Sequence, residues 1–514
     1  MEEVVSMNTD SQYDAIVIGG GLSGLMAGIT AAKRGKKVVL LEKHATVGGL
    51  AAGFTRKGYY FDAGMSRCMD YIRRPLQEVG VKVDLKPQKA IWNVAGCWVD
   101  YTTLEGFFSG LGGVFQEERS CLRMLYEKEI RPAEAILEAF FTGMDGNDFV
   151  EKALGILRLA RAMRSMKKMK SLQGMEGDIF GKYLDPGGAA YAFLQEKEDE
   201  VDYRGEMTFF TKVGKLYSQT LNFYPSNGYQ GLVEDMSAVI ETHYGDVRTC
   251  ADVEKILIEN GKAVGVELKM HGRSETIYGK KVICCIDLNK TFRQLIGSEF
   301  IDAGLLERLE KSQLARAIPI FYLGVDIPPE KVRQYFQGHE EVCYYPEIDP
   351  DPKGAHFYRG HSMVVHASCF HNPAHAPAGK TNLQVYLSCP PDGWMENWGL
   401  VDGMRTDRYR EIKEMVIADL LCALENLIPD LHDRSRIEVG ELGTPFTLER
   451  YTGNTQGSCL GYRMDADALN SKKFGRYFDS YPGIANLYFA GQQTGYPGGV
   501  LNALGSGKHA GKLV

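Results

Sequence analysis

The chain has 514 residues, 44% of them hydrophobic and 24% charged, an ordinary globular make-up that excludes a disordered or fibrous protein and a length that suggests roughly two or three domains. A net charge of −7 offers nucleic acid no overall attraction, so no nucleic-acid partner is expected. Residues 1–12 begin acidic, no run of about 18 apolar residues occurs, and the eleven cysteines are scattered without a C-x-x-C pair, which argues against a secretory signal, a spanning helix, a disulfide framework and a zinc ribbon and suits a reducing cytoplasm.

The first element is an apolar run, Ala15, Ile16, Val17 and Ile18, which reads as a strand. It delivers Gly19-Gly20-Gly21-Leu22-Ser23-Gly24, in which Gly19, Gly21 and Gly24 have the G-x-G-x-x-G spacing. The first glycine permits a tight turn, the second lets backbone approach a pyrophosphate, and the third lets helix and strand pack closely. A helix opening at Leu22 aims free N–H groups and the positive end of its dipole at that pyrophosphate, with Ser23 in its first turn. Small residues continue to Gly35, and Val38-Val39-Leu40-Leu41 reads as the next strand, with Glu42 at its carboxyl end placed to accept hydrogen bonds from a ribose. Strand, turn, helix, strand and terminal acid in that order predict a dinucleotide-binding βαβ unit.

Directly after this unit come Glu42-Lys43-His44-Ala45-Thr46-Val47-Gly48-Gly49-Leu50 and then Phe61-Asp62-Ala63-Gly64-Met65. With these residues the chain resembles the flavoprotein superfamily that includes amine oxidases and bacterial phytoene desaturases, in which an acid, a short spacer and a Gly-Gly pair continue an FAD site. The resemblance implies FAD as the cofactor. It adds Lys43, Gly48, Gly49, Leu50, Gly64 and Met65 to the contacts expected from the fingerprint.

From Tyr71 to Tyr101 short strand-like pieces follow, Ala90 to Val94 and Cys97 to Val99, and from Leu104 the spacing turns helical, with Cys121 to Glu129, Ala133 to Phe141 and Val150 to Met169 placing apolar side chains three or four apart. Residues 104–224 are therefore expected to form an inserted helical lid. Within it, residues 151–170 carry Lys152, Arg158, Arg161, Arg164, Lys167, Lys168 and Lys170 among Leu154, Leu157, Met163, Met166 and Met169. A basic amphipathic helix of this kind can rest on an anionic bilayer, although a solvated lid face or a methionine-lined substrate wall has the same pattern.

The nucleotide-binding part is expected to resume at Tyr224-Pro225-Ser226-Asn227-Gly228, ahead of an amphipathic helix. Val253 to Ile258 and Val264 to Leu268, joined through Asn260-Gly261, predict a hairpin, and Lys281 to Ile286 a buried strand. In the resembling family this succession completes the FAD domain, and the match makes Val253 the adenine contact, while Asn227 stands where the family carries a glycine. Further strands are expected at Ala317 to Val325, Ser362 to Ala367 and Leu383 to Ser388, then a helix at Arg408 to Leu427. Residues 372–380 resemble the family's A-P-x-G-K connection. His356, His361, His366, His371 and His375 are spaced about five apart, share neither a helical nor a strand face, and predict no metal site.

The last informative passage runs from Asn486-Leu487-Tyr488-Phe489-Ala490, read as a strand that delivers Gly491, through Gln492-Gln493 and Pro497-Gly498-Gly499-Val500 into a helix. In the family this passage closes over the flavin, which makes Gly491, Gly499 and Val500 expected contacts; Gln492 and Gln493 stand where relatives often carry an acid, so a water or an amide is expected against the ribityl chain.

From about residue 13 to the end, the chain is identified as a member of the bacterial phytoene desaturase, carotenoid isomerase and retinol saturase family. The resemblance implies an α/β fold: a Rossmann-like FAD domain assembled from residues 13–70, 225–300 and 482–514, a mixed-sheet substrate domain from 71–103 and 305–481, and the helical insertion. It also implies an oxidoreductase acting on a long apolar unsaturated small molecule; the cysteine usage places it in the cytoplasm, and the pattern of residues 151–170 allows peripheral contact with a membrane. A non-redox isomerase or hydratase, and a flavin-bearing membrane-associated binding protein, are the alternatives. No acid–base pair of recognisable spacing occurs, so the sequence assigns no catalytic residue.

Overall fold

A computed structural model describes residues 12–134, 179–199, 216–217, 220–311, 314, 317–346, 362–387, 397–401, 403–462, 480–481, 483–494 and 499–514. The predicted strands at Ala15–Ile18 and Val38–Leu41 form the centre of a seven-stranded sheet. Tyr13–Ile18 pairs in parallel with Val38–Leu41 on one side and with the end of Arg273–Cys284 on the other, and Asp246–Arg248 and Leu487–Phe489 add further parallel strands.

Ala15–Ile18 and Val38–Leu41 are apolar throughout because both faces are covered. Ala15, Val17, Val38, Leu40 and Ile283 pack into a core with the helices Leu22–Ala32, Gly228–Thr242 and Val500–Lys512. Ile16, Ile18, Val39, Leu41 and Val282 face a second core, which contains Val253, Ile256, Val266 and Leu268. Those last residues belong to the predicted hairpin, Ala251–Glu259 with Lys262–Met270, whose turn residues Asn260 and Gly261 both have positive φ, +50° and +72°. The expected strand at Lys281 is longer than its apolar run, because Arg273–Cys284 first pairs antiparallel with the hairpin and only then joins the parallel strands.

Close approach of helices explains two of the glycines. A Cβ at Gly24 would lie 1.9 Å from the Gly19 carbonyl oxygen, and one at Gly507 would lie 2.2 Å from the Ser23 carbonyl oxygen. The second approach seats Val500–Lys512 directly on the fingerprint helix.

A second seven-stranded sheet runs in the order Ile437–Gly443, Ile320–Val325, Thr381–Leu387, Met363–His366, Glu341–Tyr345, Ala90–Val94 and Cys97–Asp100. It is mixed, since Glu341–Tyr345 pairs in parallel with Ala90–Val94 and the other neighbours are antiparallel. The predicted helix, Asp407–Leu427, buries Ile412, Val416, Leu420 and Leu424 in this sheet's core, a four-residue spacing that makes one helical face. Leu104–Val114, Arg119–Leu125 and Ala189–Asp199 supply the described part of the helical insertion, and Leu104, Phe107, Leu122 and Phe193 pack with Trp92, Val94 and Tyr345 of the sheet. Residues 151–170, most of the expected helix from Ala133, and Tyr496-Pro497-Gly498 lie outside the described residues.

Residue 70 does not separate the cores as expected. Tyr59 and Phe61 are buried with the second sheet, whereas Ile72, Leu76, Val79 and Leu85 are buried with the first. Between them residues 62–67 cross one face of the second sheet as a strap, and that face carries a matching polar row. Glu341 is directly opposite His366, His366 opposite Gln384, and Gln384 opposite Tyr322, so the four side chains share a face. Gln384 brackets Asp62, accepting from its N–H at 3.0 Å and donating to its carbonyl at 2.8 Å. The Tyr322 hydroxyl donates to the Ala63 carbonyl at 2.8 Å, and that of Tyr386 to the Met65 carbonyl at 3.0 Å. Arg67 Nη1 pairs with Glu341 at 2.7 Å. A chain crossing a sheet cannot use the ladder, and buried backbone groups left unpaired cost about 1–3 kcal/mol each; these side chains satisfy them instead.

Candidate functional site

The two sheets enclose a cavity of about 470 Å³, within the roughly 300–1,000 Å³ typical of small-molecule sites. Of the sixteen expected contact residues, fifteen line it. The fingerprint turn contributes Gly19, Gly21, Leu22 and Ser23; the following strand end and loop contribute Glu42, Lys43, Gly48, Gly49 and Leu50. The strap gives Gly64 and Met65, the hairpin Val253, and the closing passage Gly491, Gly499 and Val500. Gly24 is the exception: it lies beneath the turn, where its missing side chain lets the helix touch Gly19.

Two helices point their amino ends into this space. Leu22–Ala32 starts from Gly21 and Val500–Lys512 from Gly499, neither with a side-chain cap nor with an acid in its first turn. A Cβ added at Gly21 would meet nothing nearer than a carbonyl oxygen at 4.0 Å, so that glycine opens on the cavity. Uncapped N–H groups, two dipole ends and a bare backbone surface suit an anionic pyrophosphate. The residues present therefore fit a flavin dinucleotide.

Glu42 is more constrained than the ribose reading implied. It is 6% exposed, and its two carboxylate oxygens accept from Gly20 N at 2.8 Å and His44 N at 2.9 Å. It thus holds the fingerprint turn to the next loop while lining the cavity. Lys43 and Lys290 converge near it; a Cβ at Gly453 would lie 3.5 Å from Lys43 Nζ and 3.8 Å from Lys290 Cδ. Burial, then the Lys290 charge, lowers the Lys43 pKa, and the carboxylates of Glu42 and Asp252 offset this in part.

Asn227 causes no strain, because its φ is −96°, and the left-handed position falls on Gly228 at +72°. Gln493 accepts from Leu288 N at 2.6 Å and donates to Asp287 at 2.8 Å, while Gln492 donates to the Ser458 carbonyl. Both amides thus brace the loops around the closing turn. Of the five histidines, His366, His371 and His375 are described; no group of three or more metal-capable side chains occurs among the described residues. His375 bonds Ser368, and His371 stacks on Tyr224 with ring centroids 5.0 Å apart.

Sequence reasoning missed Arg67, Asp287, Lys290, Tyr386 and Tyr451, which also line the cavity. Arg67 follows Phe61-Asp62-Ala63-Gly64 by three residues, and Asp287 with Lys290 follows the returning strand, so both groups lay next to passages already singled out.

A doubly covered parallel sheet with a glycine turn and two inward-facing helix ends, joined to a mixed sheet across one cavity, defines a two-domain dinucleotide-dependent oxidoreductase. The family profile for flavin containing amine oxidoreductases matches residues 22–514, and the chain belongs to that family. It is an FAD-dependent oxidoreductase. It is 24% identical to a chloroplastic prolycopene isomerase from Daucus carota, covering 89% of this chain and 73% of the relative. It is 24% identical to an all-trans-retinol 13,14-reductase from Danio rerio, covering 96% and 85%, and 22% identical to a neurosporene-forming phytoene desaturase from Rhodobacter capsulatus, covering 99% and 95%. Among solved structures, an oxidoreductase from Methanosarcina mazei shares the fold with a TM-score of 0.61 at 16% identity, covering 97% of this chain and all of that one. Among the described residues no helix is long and apolar enough to cross a membrane.

Proposed function

We propose that the protein moves a hydride between a long apolar unsaturated substrate, of carotenoid, retinoid, other isoprenoid or acyl type, and its flavin, desaturating or saturating a carbon–carbon bond. The observation that carries this reading is the aliphatic surface that Met65, Ile318, Val364 and Leu460 contribute to the cavity lining. The names of the relatives, which refer to prolycopene, retinol and phytoene, agree with it.

FAD supplies hydride acceptance or donation at N5 when bound. The chain's own contribution is to bind, orient and keep water out. The two uncapped helix ends hold the anionic middle of the dinucleotide, and Glu42 fixes the turn that presents them. The strap, anchored by Gln384, Tyr322 and Tyr386, sets the backbone of Gly64 and Met65 as one rigid wall. Tyr386 donates its hydroxyl hydrogen bond to the Met65 carbonyl, which makes it a positioning group.

Isomerisation without net redox is the second reading, favoured by the prolycopene isomerase relatives. Anaerobic addition of a polyene to the yellow holoenzyme separates the two: bleaching of the flavin supports hydride transfer from substrate, and a changed geometric isomer with no net change in flavin oxidation state supports isomerisation. Absence of both with carotenoid, retinoid and unsaturated acyl compounds, together with no reoxidation of the dithionite-reduced flavin by the same compounds, would refute the proposal. We further propose that residues 151–170 bring the protein to an anionic membrane surface where such substrates dissolve.

A further inference from the structure

The charged residues lining the cavity are unevenly placed. Glu42, Lys43, Asp252, Asp287 and Lys290 gather at the end beside the fingerprint acid, where Lys43 feels the charges of Lys290, Glu42 and Asp252. Arg67 stands on the strap, near Met65 and Tyr386, in the aliphatic part of the wall, and is the one other Lys, Arg, Asp or Glu among the described lining residues.

Its position is built, not incidental. The side chain is 26% exposed, whereas its partner Glu341 is fully buried in the middle of the second sheet, 2.7 Å from Nη1. The second oxygen of Glu341 accepts from Gln88 Nε2 at 2.6 Å. Burial raises the Glu341 pKa, and the Arg67 charge and the two hydrogen bonds oppose that rise. Next to Glu341 on the same sheet face, His366 is fully buried with no partner for either ring nitrogen, and Gln88 Oε1 has none. The strap's other backbone groups are already held by Gln384, Tyr322 and Tyr386, so pinning the strap does not by itself call for a buried carboxylate and a cation. A carboxylate behind a guanidinium fixes the orientation of its planar fork, and a planar fork with fixed orientation is the group that recognises another carboxylate in two-point fashion.

The geometry points to Arg67 as the specificity-determining residue for a substrate that joins an apolar unsaturated chain to an anionic head, a carboxylate above all. This rests on the function proposed above and deepens it by naming the class of substrate. The chain lies along Met65, Ile318 and Val364, and the head pairs with Arg67 at the strap. Esterifying the head or reducing it to an alcohol removes the charge that the oriented guanidinium would pair with beyond Glu341, and losing a charge-assisted contact is how a polar site discriminates against a close analogue.

The test uses the FAD-loaded enzyme, with retinoic acid, methyl retinoate and retinol as probes and perturbation of the flavin spectrum as the readout of binding. Wild type is expected to bind retinoic acid at least tenfold more tightly than its methyl ester or retinol. Because Arg67→Gln alone strands a buried carboxylate, the variant is Arg67→Gln with Glu341→Gln, which removes both charges together. It is expected to bind the acid and the ester within threefold of one another, with ester affinity changed less than threefold from wild type. Equal binding of acid and ester by wild type, or an acid preference that survives in the double variant, overturns the assignment of Arg67 and leaves the apolar-substrate reading standing. Failure of all three probes to bind wild type, under conditions where the flavin stays bound, overturns both.

Discussion

Gly21 opens on the space above the fingerprint turn, with no heavy atom nearer than 4.0 Å to a Cβ placed there. The fold therefore tolerates a side chain at this position and the dinucleotide does not. Gly21→Val is expected to fold and to lose stoichiometric FAD, read as the ratio of flavin to protein absorbance after gel filtration; a folded variant that keeps one flavin per chain would contradict the cradle. A second residue-scale expectation concerns acid. Burial holds His371 and His375 at about 4, below the ordinary 6.5, and His366 well below it. Between those values the unfolded chain takes up protons that the native protein refuses, so these histidines stabilise the fold above pH 6.5 and that contribution drains away as pH falls towards 4. Asp62 acts in the opposite sense, since burial pushes it up to about 6 from 3.8 and the native state holds its proton in that window. Burial raises Glu341, Asp235 and Glu449 in the same sense as Asp62, but the three histidines are expected to dominate and to give a lower melting temperature at pH 5 than at pH 7. His371→Gln with His375→Gln should narrow that difference, and a difference unchanged in the variant would show that other groups set the acid sensitivity.

At the scale of elements, the strap is the feature to perturb. Gln384→Leu is close in size but strands the Asp62 N–H and carbonyl, both buried, and is expected to cost about 2–4 kcal/mol. The shift of the denaturant midpoint measures this, and a loss below 1 kcal/mol would show that the strap finds other partners. This element also marks the limit of what the sequence discloses. The βαβ unit was legible because its signals are local: an apolar run, three glycines at fixed spacing and an acid within thirty residues. The hairpin announced itself through Asn260-Gly261 for the same reason. The polar row has no such signature. Glu341, His366 and Gln384 each read as a stray polar residue at the edge or middle of an apolar strand, and they become neighbours only when three strands pair in register. Arg67 was hidden with them, because nothing in its own surroundings indicates a partner 274 residues away. Boundaries failed for a related reason: the change from one core to the other at Tyr59 to Leu85 is set by the crossing strap, not by any shift in composition.

For the whole molecule, electron traffic is the open physical question. The described residues contain one glycine fingerprint between strand and helix, and Gly505-Ser506-Gly507 lies inside the helix Val500–Lys512, where it can form no second nucleotide turn. A nicotinamide therefore has no cradle of its own there, and anaerobic stopped-flow mixing of NADH or NADPH with oxidised enzyme is expected to show no fast, saturable bleaching. Bleaching at catalytic rates would mean that a nicotinamide enters the substrate cavity itself. Attachment to a bilayer gives a separate expectation. Arg158, Arg161, Arg164 and Lys168 changed together to Gln should reduce cosedimentation with phosphatidylserine vesicles, and salt should weaken wild-type binding, since exposed charges are screened over about 8 Å at physiological ionic strength. Equal sedimentation of variant and wild type would assign those residues to an ordinary lid.

The seating of Val500–Lys512 against Leu22–Ala32 has a consequence for biosynthesis. Residues made far apart in time meet at Ser23 and Gly507, and the amino ends of both helices line the cradle. A ribosome-bound chain that already displays the complete fingerprint is therefore still unable to retain flavin until residue 512 has emerged from the exit tunnel. Cofactor capture thus waits for both helices: a nascent chain stalled anywhere between them carries the motif but stays colourless.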